Sequence, residues 1–135
     1  MANYYGNGRS NYVKVKDKEK FKEMCSLYGL LYWEKDYGDL VGCGANDDGG
    51  EPNTELYDRE TGNETELPDF ISQAVPELLE EGQVFIWMHN GAEKLRYLVG
   101  YTIAVNSKGE YQKIDLGDIY DKAKELGDDF TTCEY

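Results

Sequence analysis

Carboxylates are the side chains of this 135-residue chain best placed to do chemistry, and they are concentrated in its middle. Residues 31–82 hold fifteen Asp and Glu against only Lys35 and Arg59, in a chain of formal net charge −13. Such a localised anionic field favours a cationic partner. The carboxylates expected to face it are Glu34, Asp36, Asp39, Asp47, Asp48, Glu51, Glu55, Asp58, Glu60, Glu64 and Glu66. The aromatic anchors expected beside them are Tyr32, Trp33, Tyr37 and Tyr57.

The acidic residues do not follow the spacing of a known cation site. Two groups could collect a hard cation such as calcium: Asp47, Asp48 and Glu51, or Asp58, Glu60 and Glu64. Neither group matches the twelve-residue calcium-loop pattern, and no spacing singles out a pair of carboxylates for hydrolysis. Solvated acidic loops are therefore the expectation, without a metal site.

Histidine and cysteine offer little for catalysis. His89 precedes the Asn90-Gly91 pair, where we expect a half-exposed ring at the edge of a turn. Cys43, between two glycines, is the thiol expected to be most accessible, but its acidic neighbours would not favour a thiolate. We predict no catalytic residue and no cofactor.

Cysteine use and the termini bear on the cellular compartment. Three cysteines without a CxxC pair favour a reduced, intracellular protein. No apolar run approaches the ~20 residues of a membrane span, and residues 1–5 do not resemble a signal peptide. We expect a cytoplasmic protein.

The N-terminal part of the chain suggests a different partner. Its basic side chains alternate with tyrosines, the composition of a nucleic-acid surface. The basic residues are Arg9, Lys14, Lys16, Lys18, Lys20 and Lys22, and the tyrosines are Tyr4, Tyr5 and Tyr12. The net charge of −13 opposes this interpretation.

The pattern of apolar residues and turn signals predicts one α+β domain over residues 1–135, in the order β-α-β-β-(β)-α-β-β-β-α. The predicted strands cover residues 11–16, 30–36, 40–45, 54–58, 84–88, 95–105 and 110–114. The predicted helices cover residues 18–28, 68–82 with a break at Pro76, and 117–126. The predicted connections are a loop at 46–53, a hairpin tip at 59–64, a type I′ turn at Asn90-Gly91 and a turn at 106–109. The remainder is an extended arm at residues 1–10 and a loose acidic tail at 128–135.

Adjacent strands joined by tight turns favour an antiparallel sheet of about five to six strands. We expect two to three helices on one face of this sheet and a bulge at Gly100. An exposed edge strand could pair two copies of the chain across a two-fold axis.

Three segments give the chain a resemblance to a known class of proteins: Asn11–Asp17, Glu93–Asn106 and Asp118–Gly127. In these segments it resembles small acidic accessory proteins of phages and other mobile elements, among them anti-CRISPR and anti-restriction proteins. The resemblance assigns no role to individual residues. It implies a non-enzymatic protein that binds a bacterial defence nuclease.

The charge pattern gives this implication a physical form. Duplex DNA carries one negative charge per ~1.7 Å of its axis, and clustered carboxylates can compete for the same Lys- and Arg-lined channel. A DNA-mimicking inhibitor is therefore one interpretation of residues 34–81, and solubility of a small intracellular protein is another. A small metal-dependent hydrolase and a nucleic-acid binder using residues 4–22 also stay open.

Overall fold

The computed structural model describes residues 4–35, 39–93 and 97–133. It confirms the α+β class: a six-stranded antiparallel sheet, a separate two-stranded sheet and three short helices. The strands are β1 Tyr4–Ser10, β2 Leu30–Lys35, β3 Leu40–Ala45, β4 Glu55–Tyr57, β5 Glu64–Glu66, β6 Val84–Glu93, β7 Tyr97–Asn106 and β8 Tyr111–Asp115. The helices are α1 Lys18–Leu27, α2 Val75–Leu78 and α3 Ile119–Ala123, with a π-helical turn Phe70–Ala74 before α2 and a 3-10 turn Leu116–Asp118 before α3.

Strand β1 corrects the prediction of an N-terminal arm. The sheet order is β2-β3-β1-β6-β7-β8, so Tyr4–Ser10 lies in its centre and pairs with both β3 and β6. Gly6 and Gly8 suit this position because the loop after β3 lies directly on them. A Cβ on Gly8 would collide with the carbonyl oxygen of Gly50. These glycines thus permit close packing of two backbones.

The predicted strand at residues 11–16 is wrong as a continuous strand. Two isolated bridges remain, Val13 with Val41 and Val15 with Leu79. Asn11 interrupts the ladder because its side chain takes over backbone hydrogen bonds. Its Nδ2 donates to the Val84 carbonyl (3.0 Å), and its Oδ1 accepts from Ile86 N (2.8 Å).

The predicted turn at Asn90-Gly91 is also wrong. Strand β6 runs through both residues to Glu93, and Gly91 pairs with Gly6 on one side and Val99 on the other. Gly91 is needed here because the Tyr4 ring lies over it, where a Cβ would collide with the tyrosine hydroxyl. The predicted bulge at Gly100 is wrong too, because this residue pairs in regular register with Asn90.

The first helix and the strands beside it follow the sequence closely. Asp17 caps α1 by accepting from the backbone N–H groups of Glu19 (3.0 Å) and Lys20 (3.2 Å). Gly29 ends the helical segment with a φ of 70°. Strands β2 and β3, the loop at 46–53, the short strand β4 and the turn at 106–109 also agree with the predictions.

The second helical segment begins later than predicted. Asp69 is its N-cap and accepts from Ser72 N at 2.8 Å, so Pro68 precedes the helix instead of opening it. The expected break at Pro76 takes the form of a π-helical turn followed by α2, with the proline in the first turn of α2. The π-helical turn continues directly into α2, and the backbone N–H of Val75, just before the proline, donates to the Phe70 carbonyl.

The last helix differs from the prediction in length and packing. Helix α3 spans five residues, none of them buried, so the core-side helices are α1 and α2. The described part of the predicted loose tail folds back on α3. The Phe130 ring stacks on Tyr120 with centroids 6.4 Å apart, and the backbone N–H of Cys133 donates to the Tyr120 hydroxyl.

A single cluster of apolar side chains forms the core between one face of the six-stranded sheet and helices α1 and α2. Its members are Val13, Phe21, Cys25, Tyr28, Leu30, Val41, Cys43, Phe70, Ile71, Val75, Leu79, Phe85, Trp87 and Val105. Cys43 is therefore buried, which corrects the expectation that it is accessible. Contact with Cys43 and burial raise the pKa of the Cys25 thiol, so both buried sulfurs belong to the packing.

Candidate functional site

The two-stranded sheet is the most acidic exposed element of the structure. Strands β4 and β5 pair Glu55 with Glu66 and Tyr57 with Glu64. Paired residues share a face of the sheet, as do alternate residues of a strand, so these four side chains lie together. All four are exposed. We call this element, residues 55–66, the acidic hairpin.

Repulsion between carboxylates marks the acidic hairpin as an electrostatically unfavourable arrangement. The pKa of Glu55 is raised, chiefly by the negative charge of Glu64 and a hydrogen bond to it, with a smaller effect of Glu66. Among the described Lys and Arg side chains, none lies within 4.0 Å of these three carboxylates. Like charges opposite one another destabilise a strand pair. The stability of the fold therefore does not explain why these three carboxylates lie side by side.

The tip of the hairpin fixes one further carboxylate. Asp58 Oδ1 accepts from the backbone N–H of Glu60 at 2.9 Å, and this bond is the main reason why the pKa of Asp58 is lowered. Gly62 closes the turn with a φ of 73° and donates its N–H to the Asp58 carbonyl (2.8 Å). Asp58 therefore stays ionised at the end of the hairpin.

The other predicted carboxylates lie elsewhere. Glu34 and Asp39 lie near the end of the β2–β3 pair where Lys35 meets Leu40. Three more lie in the loop that leaves the opposite end of β3: Asp47, Asp48 and Glu51. Asp36 and Tyr37 lie outside the described residues. The hairpin thus brings together Glu55, Tyr57, Asp58, Glu60, Glu64 and Glu66, and Glu51 of the loop lines the same cleft as Glu66.

The predicted aromatic anchors of β2 point in opposite directions. Tyr32 packs towards the core, with its ring centroid 6.1 Å from that of Phe21, and donates its hydroxyl to Glu34 (2.9 Å). Burial and then Glu34 raise its pKa. Trp33 lies on the other face of the sheet, 5.1 Å below the Arg9 guanidinium. Both rings belong to β2, which pairs with β3, whereas the hairpin strands β4 and β5 form a separate sheet.

Sequence reasoning missed a buried polar network around His89. The side chain is 1% exposed in the middle of β6, which corrects the expected position at a turn. Its Nδ1 lies 2.8 Å from the Gly50 carbonyl oxygen and its Nε2 lies 2.5 Å from the Tyr4 hydroxyl. Because a carbonyl can only accept, Nδ1 carries a proton, and Nε2 is the ring nitrogen that meets the Tyr4 hydroxyl.

This network attaches the loop at 46–53 to the sheet. Tyr101 stacks on the His89 ring with centroids 5.0 Å apart and donates its hydroxyl to Glu51 Oε1 at 2.9 Å. Gly6 N donates to the Asp48 carbonyl (2.7 Å). Burial, and then the charge of Glu51, raises the pKa of Tyr4. With its histidine enclosed, the network has the geometry of a structural clasp.

A visible signal for this clasp was the spacing of glycines. Gly6 and Gly8 in one segment and Gly49-Gly50 in another allow two backbones to approach closely. The partner of His89, however, lies 39 positions away in the sequence and Tyr4 lies 85 positions away. Such distant pairings leave no local pattern.

We find no metal-binding geometry among residues 4–35, 39–93 and 97–133. They contain no group of three or more His, Cys, Asp or Glu side chains arranged to hold a metal ion.

Among the helices in these ranges, none is both long enough and apolar enough to cross a lipid bilayer.

The basic N-terminal residues do not share one aromatic surface. Tyr4 lies on the core side at His89, whereas Tyr5 is exposed on the opposite face of β1. Arg9 stacks on Trp33 and Tyr12, while Lys22 lies over Tyr32 at 5.8 Å. The predicted basic-aromatic cluster is thus divided among several surfaces.

Comparisons with protein-family models, curated proteins and solved structures found no match for this chain.

Proposed function

We propose that this protein is a non-enzymatic inhibitor from a mobile element that binds a basic, nucleic-acid-handling surface of a bacterial defence nuclease complex. The acidic hairpin is the contact in this proposal, and the protein acts in the cytoplasm of the bacterial cell. The single observation that carries it is the placement of Glu55, Glu64 and Glu66 on one exposed face, where no ion pair within 4.0 Å joins them to a described Lys or Arg side chain.

The unfavourable charge arrangement gives the proposal its physical basis. A Lys or Arg side chain placed between Glu55 and Glu64 would relieve the repulsion that raises the pKa of Glu55. Such a partner would gain charge-assisted hydrogen bonds of the kind that phosphate oxygens accept. Carboxylates here would occupy the positions of phosphates, as in a DNA mimic.

The hairpin also carries an aromatic side chain suited to a contact. Tyr57 shares the face of the three glutamates and is 58% exposed. Tyrosine gives a large rigid contact area and a polar tip, and is frequent among residues that dominate binding energies. In this proposal the ring fixes the register while the carboxylates provide attraction.

Electrostatic recognition of this kind has a characteristic dependence on salt. Association between complementary charges is fast at low ionic strength and weakens as salt screens the charges. The proposed complex should therefore form more readily at low salt than at high salt.

A capture experiment with a matched control tests the proposal. The wild-type protein and a Glu55→Gln, Glu64→Gln, Glu66→Gln variant serve as baits in lysate of a bacterium that carries CRISPR or restriction nucleases. Asp58 is left unchanged because it caps the turn. The control variant is Glu23→Gln, Glu81→Gln, Glu125→Gln, whose three exposed residues lie outside the hairpin. Both variants remove three charges and change the net charge from −13 to −10.

We expect wild type and control to capture a nuclease component identified by mass spectrometry, and the hairpin variant to lose it. Circular dichroism should show the same fold for all three proteins. Equal capture by both variants would remove the hairpin from the proposal. Capture of enzymes unrelated to nucleic acids would contradict the proposed partner.

A gel shift with the purified protein separates this function from direct nucleic-acid binding. The inhibitor should not shift duplex or single-stranded DNA unaided, because its net charge repels phosphates. A shift that disappears when Lys14, Lys16 and Lys20 are replaced would favour the basic N-terminal segment instead.

A further inference from the structure

The face of the six-stranded sheet opposite α1 and α2 is largely uncovered. We call it the open face; it carries the side chains that alternate with the buried residues of each strand. One row of paired residues crosses all six strands on this face: Leu31, Gly44, Arg9, Met88, Thr102 and Ile114. Leu116, from the turn before α3, covers part of it by packing over Gly100.

Large apolar side chains on the open face reach into solvent. Met88 is 60% exposed and Ile114 is 62% exposed, although both lie within regular strands. Further apolar residues of this face that are more than one third exposed are Tyr5, Leu31, Val84, Leu98 and Leu116. Soluble monomers rarely expose a contiguous apolar patch larger than a few hundred Å².

The open face is also nearly free of charge, in contrast to the chain as a whole. Its described strand positions hold two charged side chains, Arg9 and Lys35, and both are cations. The Arg9 guanidinium lies 5.1 Å from the Trp33 ring centroid, and Lys35 Nζ lies 5.4 Å from that of Tyr12. Both cations are thus paired with aromatic rings. Carboxylates do not occur among these described strand positions, in a chain of net charge −13.

The size of this face matches that of a dimer interface. Six strands spaced about 4.8 Å apart span about 24 Å, and the five- to ten-residue strands extend about 17–33 Å. The resulting area of about 400–800 Å² approaches the ~800 Å² that each partner buries in a standard interface. A groove of about 680 Å³ between Trp33 and Leu116, whose rim also includes Asp47 and Asp115, adds surface relief for interdigitation.

From these observations we infer that the protein is a homodimer in which the open faces of two copies pack together. A two-fold axis parallel to the strands and between β1 and β6 brings β2 of one copy over β8 of the other. Leu31 then faces Ile114, and Arg9 faces Met88. At the described strand positions of this face a second copy meets apolar side chains and the cations Arg9 and Lys35, whereas a nucleic acid would meet the repulsion of the whole chain.

Sedimentation equilibrium of the full chain up to about 100 μM tests this inference. Two variants, Met88→Lys and Ile114→Lys, place a charge in the middle of the proposed interface. The control is Tyr111→Lys, which changes an equally exposed residue of the same edge strand β8 on its opposite face. All three substitutions change the net charge by the same amount, and circular dichroism checks their fold.

We expect wild type and Tyr111→Lys to dimerise alike, and each open-face variant to weaken the dimer by about 30-fold or more. A monomeric wild type would overturn the inference, whatever the variants do. A dimer equally sensitive to Tyr111→Lys would indicate pairing through the edge strand instead. Monomeric wild type that binds single-stranded DNA and loses it on Trp33→Ala would make nucleic acid the occupant.

Discussion

The acidic hairpin and the six-stranded sheet are both built from antiparallel strand pairs, but different kinds of side chain face each other across these pairs. In the sheet, paired residues such as Trp87 and Ile103 bury apolar surface and hold neighbouring strands together. In the hairpin, paired residues are exposed and Glu55 faces Glu66. The side chains of the sheet thus stabilise the fold, whereas the hairpin keeps carboxylates opposite one another, which destabilises a strand pair.

Truncation of a buried side chain should show the largest difference between the two regions. Trp87→Ala removes a fully buried indole of the sheet and should lower the free energy of unfolding by about 3–5 kcal/mol. Leu56→Ala in the hairpin, where the side chain is 45% exposed, should change it by less than about 0.5 kcal/mol. Urea denaturation followed by tryptophan fluorescence and circular dichroism measures both. Similar losses for the two variants would mean that the hairpin contributes as much to the stability of the fold as the sheet does.

A smaller effect is expected where the loop at 46–53 joins the sheet. Tyr101→Phe removes the hydroxyl that donates to Glu51 and should cost about 1 kcal/mol of stability. Burial and the bond to Glu51 raise the pKa of Tyr101, so the folded state holds this proton more tightly than the unfolded state. The contribution of the Tyr101 hydroxyl to the free energy of unfolding is fully present below the ordinary tyrosine pKa of 10.0. It is lost as the pH rises above 10.0 towards the higher pKa of the folded state.

The control for this prediction is Tyr111→Phe, an exposed tyrosine of β8. Urea midpoints at neutral pH and above pH 10.0 should show a steeper alkaline loss for wild type and Tyr111→Phe than for Tyr101→Phe. If the urea midpoint falls equally at alkaline pH in all three proteins, the Tyr101 hydroxyl does not hold the loop at 46–53 on the sheet.

The smallest expected effect concerns the hairpin itself. Repulsion from Glu64 raises the pKa of Glu55, so the hairpin loses stability as the pH rises through the pKa of the folded state. It should be more stable below the ordinary Glu pKa of 4.5 than at pH 7. Glu55→Gln should raise the exchange protection of the amides of Asp58 and Leu67, whose hydrogen bonds to Asn63 and Thr54 flank the β4–β5 pair, by about two- to five-fold at pH 7.

Hydrogen exchange measured by NMR checks this effect, with Glu81→Gln as the control. The gain from Glu55→Gln should shrink at acidic pH and at high salt, where the repulsion is already weak. Protection that falls in Glu55→Gln would mean that the carboxylate stabilises the hairpin, which would remove the contrast with the sheet.

Local signals in the sequence were sufficient where short-range geometry decides the structure. The Asp17 cap and the Gly29 stop predicted α1, and the segment at 46–53 was predicted as a loop. Signals that depend on distant partners failed. Asn90-Gly91 has the composition of a hairpin turn, but the Tyr4 ring and pairing with β1 keep it within a strand.

The same division applies to the candidate site. The clustering of Asp and Glu residues could be predicted from the sequence, and so could the short strand β4. The partner strand β5 was not predicted, because Glu64–Glu66 lacks apolar alternation, so the pairing of Glu55 with Glu66 could not be anticipated. The separation of Glu34 and Asp39 from the hairpin likewise depends on tertiary structure.

The salt dependence of the captured complex shows whether the hairpin carboxylates contact cations of the partner. The dissociation constant of wild type, the hairpin variant and the control variant is measured for the captured nuclease component at several salt concentrations. If the acidic hairpin contacts cations, log Kd should rise steeply with log salt for wild type and control, and clearly less steeply for the hairpin variant. Equal slopes for all three proteins would contradict the account, because the hairpin carboxylates would then take no part in recognition.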